Sequence, residues 1–410
     1  MNKTGADSAV RSGESPQWTL IRRARQLLTL RGASGSRRGS AMSDLNVISD
    51  GALLVRDGVV EEVGTTRRVE NLVPAHLASV IDCAGKVVMP AFIDPDIALA
   101  APAPCDWTGG ASEESDIRRM SQRRLEGNAA AMAADLARYG ILTVGAHTLF
   151  APDLQNTNKA LRLHLSMQSK PLRIRSVFSP PCVPGKENGS QRARIGEVWM
   201  PAIFRKKLCS LLELPVTAAT TGDAWDLAAA AATAGFNIRF RVSGPTTTDV
   251  LELAYSAGAV ALIGQVPENG PAARSLADVG CVNVVLGTRV LAGNFTSKRS
   301  AIDDGMPVAI ASGYRSEGTS SINPQFLLYL ACHALDMTVE EAIVAATYNA
   351  ACSLRFSHVT GSLAPGKSAD ICVMDVDDYH ELVRRAGHHD LSLAMRAGKI
   401  VYRGTSQSLD

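Results

Sequence analysis

Long apolar runs are missing from this 410-residue chain, and with no stretch of about 18 consecutive apolar residues no membrane-spanning segment is expected. Charge imbalance is missing too. A formal net charge of +2 gives no strong field to attract nucleic acid or an anionic membrane. The first residues, MNKTGADSAVRSGESPQW, lack the apolar core of a secretory signal and read as a disordered tail over residues 1–17. No G-x-G-x-x-G or P-loop follows an early strand, which removes the usual nucleotide-binding open sheets. Paired cysteines are also absent. Cys83, Cys105, Cys182, Cys209, Cys281, Cys332, Cys352 and Cys372 form no C-x-x-C, and most lie in apolar stretches. That is the pattern of buried free thiols in a reducing compartment, so a cytoplasmic protein without a zinc knuckle is expected.

What remains is an ordinary globular composition, 46% hydrophobic and 20% charged, long enough for more than one domain. Both ends are rich in strand signals. In DGALLVRDGVVEEVG, residues 50–64, Asp57-Gly58 separates two strand-like runs as a type I′ hairpin turn would. ADICVMDVD (369–377) and LAMRAGKIVYRG (393–404) mirror it, with a second turn at Ala397-Gly398. The expectation is one small β-sandwich built from residues 18–86 and 356–410, with a long segment, 87–355, inserted between them. That insert alternates short apolar strands with helical stretches. Strands are expected at 87–97, 141–147, 172–179, 214–220, 237–243, 259–264, 282–287 and 307–312. Helices are expected at 129–139 and 225–234, stopped by Gly140 and Gly235. Strands apolar throughout and separated by helices imply a parallel sheet covered on both faces, and eight such units close into a (β/α)8 TIM barrel.

The run KVVMPAFIDPDIALA (86–100) ends the first of these strands with two acids. Together with LIRRARQLLTLRG (20–32), GTSS (318–321), LACHALDMTVEEAIVAATYNAA (330–351) and GSLAPGKSADICVMDVDDYHEL (361–382), it resembles the amidohydrolase superfamily, and within it imidazolonepropionase, which opens the imidazolone ring in histidine degradation. The resemblance implies a zinc or iron hydrolase whose first barrel strand ends in H-x-H. Alternate residues of a strand face one side, so both imidazoles would hold one metal at the barrel mouth. In this sequence those positions hold Asp96 and Ala98. The histidine implied on the fifth strand is Arg241, that on the sixth is Gly264, and the water-orienting aspartate ending the eighth is Gly313. Without the metal, water is not made nucleophilic and the carbonyl is not polarised. The resemblance therefore points to a relative without a cofactor, degenerate in catalysis, that acts in binding or assembly with a second copy or an active homologue. A working hydrolase of cyclic amide C–N bonds is the alternative.

Three residues offer replacement chemistry. Asp96 and His147 would form an acid–base pair with Arg241 as an anion clamp. The plainer reading is an Asp96–Arg241 ion pair filling the metal's space. Arg315 is a further anion-binding candidate, or an exposed loop arginine. The loop 100–116 lacks the arginine that the resemblance implies for holding a substrate carboxylate. His76, His164, His333, His358, His380, His388 and His389 read as surface or packing residues.

Overall fold

The computed structural model describes residues 16–99, 117–181, 189–265, 270–293, 299–314 and 321–404. Most of the expected tail, the loop 100–116, Cys105, Cys182 and Arg315 lie outside these residues. Four strands, β1 (Trp18–Leu28), β2 (Val47–Arg56), β3 (Val59–Thr65) and β4 (Ser79–Asp82), open the chain and are followed by β5 (Val87–Pro90). The barrel strands follow: β6 (Phe92–Ile97), β7 (Ile141–His147), β8 (Arg173–Phe178), β9 (Leu211–Val216), β10 (Asn237–Val242), β11 (Ala261–Ile263), β12 (Val282–Leu286) and β13 (Val308–Ala311). The chain returns with β14 (Ile371–Met374), β15 (Leu391–Arg396) and β16 (Lys399–Arg403).

Strands from both termini join in one eight-stranded sheet, in the order β16-β15-β14-β5-β1-β2-β3 with β4 on β1. Its two ends share a core. Val60 and Val63 of β3 belong to the same buried cluster as Leu393 and Met395 of β15, so the sheet curls upon itself in the sandwich manner. Both hairpin turns have the positive φ pair of type I′, 49° and 83° at Asp57-Gly58 and 45° and 75° at Ala397-Gly398. The turns also touch: a Cβ on Gly58 would stand 2.3 Å from the Ala397 carbonyl oxygen.

The second sheet runs β6 to β13 in sequence order, with parallel neighbours throughout. Inward residues such as Val177, Leu211, Ile263, Val284 and Ala311 form a core separate from the one beneath the helices. At the seam β13 returns beside β6. Backbone N–H of Ser312 donates to the Asp94 carboxylate at 3.2 and 3.3 Å, and Ala98 N–H donates to the Tyr314 carbonyl at 3.3 Å. The chain thus folds as a (β/α)8 barrel carrying a sheet domain from both ends.

Two expected strands are corrected. The run 87–97 is two strands, because Val87–Pro90 pairs with β1 and β14 in the terminal sheet and only Phe92 onward enters the barrel. The strand expected at 214–220 lies three residues earlier, at Leu211–Val216, and Ala218–Thr220 is a 3-10 turn leading into the helix Thr221–Ala234. Gly140 and Gly235 follow their helices with φ of 78° and 92°, the left-handed conformation that lets a helix stop.

Candidate functional site

Strand parity decides what faces the barrel interior. On β10, Ile238, Phe240 and Val242 join the core beneath the helices, which sends Arg239 and Arg241 inward. Glu213 reaches in from β9 and Asp96 from β6. All four side chains are buried, Arg239 and Asp96 at 0% exposure, and among the described residues they form an ionic quartet. Arg241 Nη2 donates to Asp96 Oδ1 at 2.5 Å, and its Nε donates to Glu213 Oε1 at 2.9 Å. Arg239 Nη2 lies 3.1 Å from Asp96 Oδ1 and 2.7 Å from Glu213 Oε2, and its Nη1 donates to the Pro95 carbonyl at 2.8 Å. Ser179 Oγ adds a donor to Glu213 at 3.2 Å. Among the described residues two guanidiniums therefore face two carboxylates, and the formal charge of these four side chains cancels.

The electrostatics follow from that pairing. Burial pushes the Glu213 carboxyl up, but Arg239 and Arg241 outweigh it and hold the group below its ordinary range. Burial alone would lower Arg241; Asp96 and Glu213 instead hold it well above its usual value. His147 ends β7 beside this quartet. Its Nδ1 accepts from Leu149 N–H at 3.3 Å, so the ring proton sits on Nε2, which has no hydrogen-bond partner among the described residues. Burial depresses its pKa to about 4, and the imidazole is neutral at physiological pH. Asp94, two residues before Asp96, is pushed up to about 7 by burial, although Ser312 and the Asp96 N–H bond to it.

The remaining expected positions are structural. Ala98 is fully buried at the seam. Gly264 sits where a Cβ would come within 3.1 Å of the Val242 carbonyl and 3.3 Å of Arg289 Nη1, and Arg289 itself donates to that carbonyl at 2.9 Å. Gly313 has a φ of 67°, and a Cβ there would stand 2.5 Å from Thr288 Oγ1. Arg315 lies outside the described residues. Among the other histidines, His388 Nδ1 pairs with Asp390 at 2.6 Å, His380 Nδ1 with Asp378 at 2.6 Å, and His333 stacks on Tyr329. His164 is fully buried in the helix Leu154–Ser166, and neither ring nitrogen has a hydrogen-bond partner among the described residues.

Glu213 and Arg239 are the two members of the quartet that sequence reading missed. Arg239 had a signal, since it lies two residues before Arg241 on one strand. Glu213 fell outside the strand as expected and carried none.

Among the described residues, the side chains at the mouth do not fit a catalytic metal. Both carboxylates are already bound to guanidiniums, and a divalent cation among them would face two positive charges. Among the described residues, no group of three or more His, Cys, Asp or Glu side chains is placed to hold an ion.

Comparison with known proteins agrees with this architecture. Residues 259–401 match the family model described as Amidohydrolase family. Imidazolonepropionase of Geobacillus thermodenitrificans is 28% identical over 416 residues, covering 93% of this chain and 97% of the relative. The Brevibacillus brevis imidazolonepropionase is likewise 28% identical, covering 94% and 98%. Among solved structures, E. coli guanine deaminase superposes with a TM-score of 0.69 at 16% identity, over 95% of this chain and 100% of that one. A mutant of atrazine chlorohydrolase from Arthrobacter aurescens TC1, complexed with zinc and atraton, gives 0.70 at 16%, covering 93% and 94%.

Proposed function

We propose, for a chain that belongs to the amidohydrolase superfamily, that the barrel no longer hydrolyses and serves as a binding or assembly partner. The observation that carries this reading is the quartet of Asp96, Glu213, Arg239 and Arg241. It fills the barrel interior with paired charge, at the level where hydrolysis needs an open Lewis acid and an activated water. The carboxylates of Asp96 and Glu213 are bound to arginines, that of Asp94 is held at the seam by the backbone N–H groups of Asp96 and Ser312, and His147 is neutral with its acceptor nitrogen engaged. The partner would be a second copy or an active homologue, met in the cytoplasm.

A second reading, a working hydrolase of cyclic amide C–N bonds, is favoured by the near full-length match to imidazolonepropionases. One experiment separates the two. Untagged protein is purified, its metal content measured, and imidazolone propanoate hydrolysis assayed with and without added zinc or iron. The expected result is no turnover in the parent or in Asp96→Ala. Stoichiometric metal with turnover, abolished both by chelator and by Asp96→Ala, would establish the hydrolase instead. Light scattering on the purified protein, alone and mixed with an active homologue, tests the assembly role.

A further inference from the structure

The base of the barrel, opposite the mouth, carries arginines whose charge is not balanced. Arg173 opens β8 and Arg175 follows two residues later on the same side of the strand. Both lie over one ring: the Arg175 guanidinium carbon is 3.8 Å from the Phe356 centroid and that of Arg173 is 5.9 Å away. Arg175 also donates from Nε to the Leu354 carbonyl at 3.0 Å and from Nη2 to the Arg355 carbonyl at 3.3 Å. Arg355 is exposed, with a φ of 57° that residues other than glycine seldom adopt. From the terminal sheet comes Arg396, the last residue of β15, close enough to Arg173 and Asp370 for each to act on its charge. Asp370 is the acid at the centre, bound to Arg173 Nη2 at 3.0 Å and accepting from Ser368 Oγ and the Ala397 N–H.

Arg173 and Arg396 therefore share the Asp370 carboxylate, while Arg175 and Arg355, close enough for one to act on the other's charge, bring two further guanidiniums to the same junction without an acid of their own among the described residues. Arg175, Arg355 and Arg396 make no ion pair among the described residues, and Nε of both Arg173 and Arg396 has no hydrogen-bond partner. The contrast with the interior quartet is direct. There two cations meet two anions, and Arg241 is held above its ordinary pKa. Here burial depresses both Arg175 and Arg396, as expected of desolvated cations short of counter-charge. Arg355 is open to solvent, and Phe356, Arg175 and Arg396 are half-buried, so the cluster can be reached from outside.

We propose that this junction of barrel base and terminal sheet is a binding site for a small phosphate-type oxyanion. Planar guanidinium forks suit a tetrahedral oxyanion with several acceptor oxygens, and a dianion would supply the charge that Asp370 alone does not. The site is independent of the mouth and holds whichever reading of the mouth is right.

The test is calorimetric titration of the full chain with inorganic phosphate, at ionic strength held constant with sodium chloride. Saturable binding near one phosphate per chain is expected. Arg355→Ala, a surface change that does not threaten folding, should weaken it about tenfold, as should Arg396→Gln. Arg162→Ala, an exposed arginine elsewhere, should leave it unchanged. Absence of binding to the parent protein overturns the proposal. So does binding that chloride of equal ionic strength reproduces, or that survives both substitutions at full strength.

Discussion

If the interior quartet is one charge-balanced unit, removing single members should be costly and removing a matched pair much less so. Arg241 and Asp96 touch at 2.5 Å, and Arg239 and Glu213 at 2.7 Å. Charges about 4 Å apart interact by ~4 kcal/mol at an effective dielectric of about 20. Asp96→Asn keeps the shape and removes the charge, leaving two guanidiniums to one carboxylate within the quartet. Arg241→Met leaves two carboxylates to one guanidinium within the quartet. Breaking a buried pair from one side costs roughly 3–5 kcal/mol, because the orphaned charge stays buried. The double variant retains the Arg239–Glu213 pair and restores neutrality, so its cost should fall short of the sum by about 1–3 kcal/mol. Urea unfolding of the four proteins, followed by far-ultraviolet circular dichroism, reads these differences as shifts of the midpoint. Single variants each costing less than about 1 kcal/mol, or a strictly additive double variant, would refute the claim that the four side chains act together.

Three further outcomes follow from the geometry. Burial lowers the His164 pKa to about 3 from an ordinary 6.5, so the folded chain binds fewer protons than the unfolded one between those values. Its contribution to stability is present above pH 6.5 and is lost as pH falls toward 3, and His164→Leu should flatten acid unfolding across that window. The same variant removes two buried nitrogens without partners, so at pH 7 it should unfold no earlier than the parent in a thermal melt. Gly58→Ala places a methyl 2.3 Å from the Ala397 carbonyl at a φ of 83°, and should lower stability by at least about 1–2 kcal/mol in a denaturant titration. Gly313→Asp puts a Cβ 2.5 Å from Thr288 Oγ1, and should lower the melting temperature without conferring zinc binding, checked by metal analysis after incubation with the ion.

The fold was legible because its signals are local and repeated. Apolar strands alternate with helices that Gly140 and Gly235 stop, and Asp57-Gly58 and Ala397-Gly398 are turns by chemistry as well as by position. The division at Ala91 was less visible, since Val87 to Ile97 is one apolar run and only its pairing partners assign Val87–Pro90 to the terminal sheet. The strand holding Glu213 was misplaced because LPVTAAT is the more strand-like text, whereas LLEL carries an acid that sequence statistics send to the surface. A buried glutamate becomes intelligible only once the cations that accept it are known, and those lie on the next strand. Arg239 could have been inferred from parity with Arg241, but parity gives a direction and not a partner.

The positions at the mouth depend on one another, and this bears on how the site could change. Asp96, Glu213, Arg239 and Arg241 neutralise one another, so a histidine introduced at position 241 would leave two carboxylates to one guanidinium within the quartet. At 264 and 313 the obstacle is space: the Val242 carbonyl and Arg289 crowd one glycine, and Thr288 crowds the other. Each single substitution toward a metal site therefore meets either an unbalanced buried charge within the quartet or a collision. Only a concerted set of changes, including a smaller or displaced Thr288 and Arg289, would reopen the interior. The arrangement resists stepwise introduction of metal ligands for the same physical reason that it resists losing any single member of the quartet.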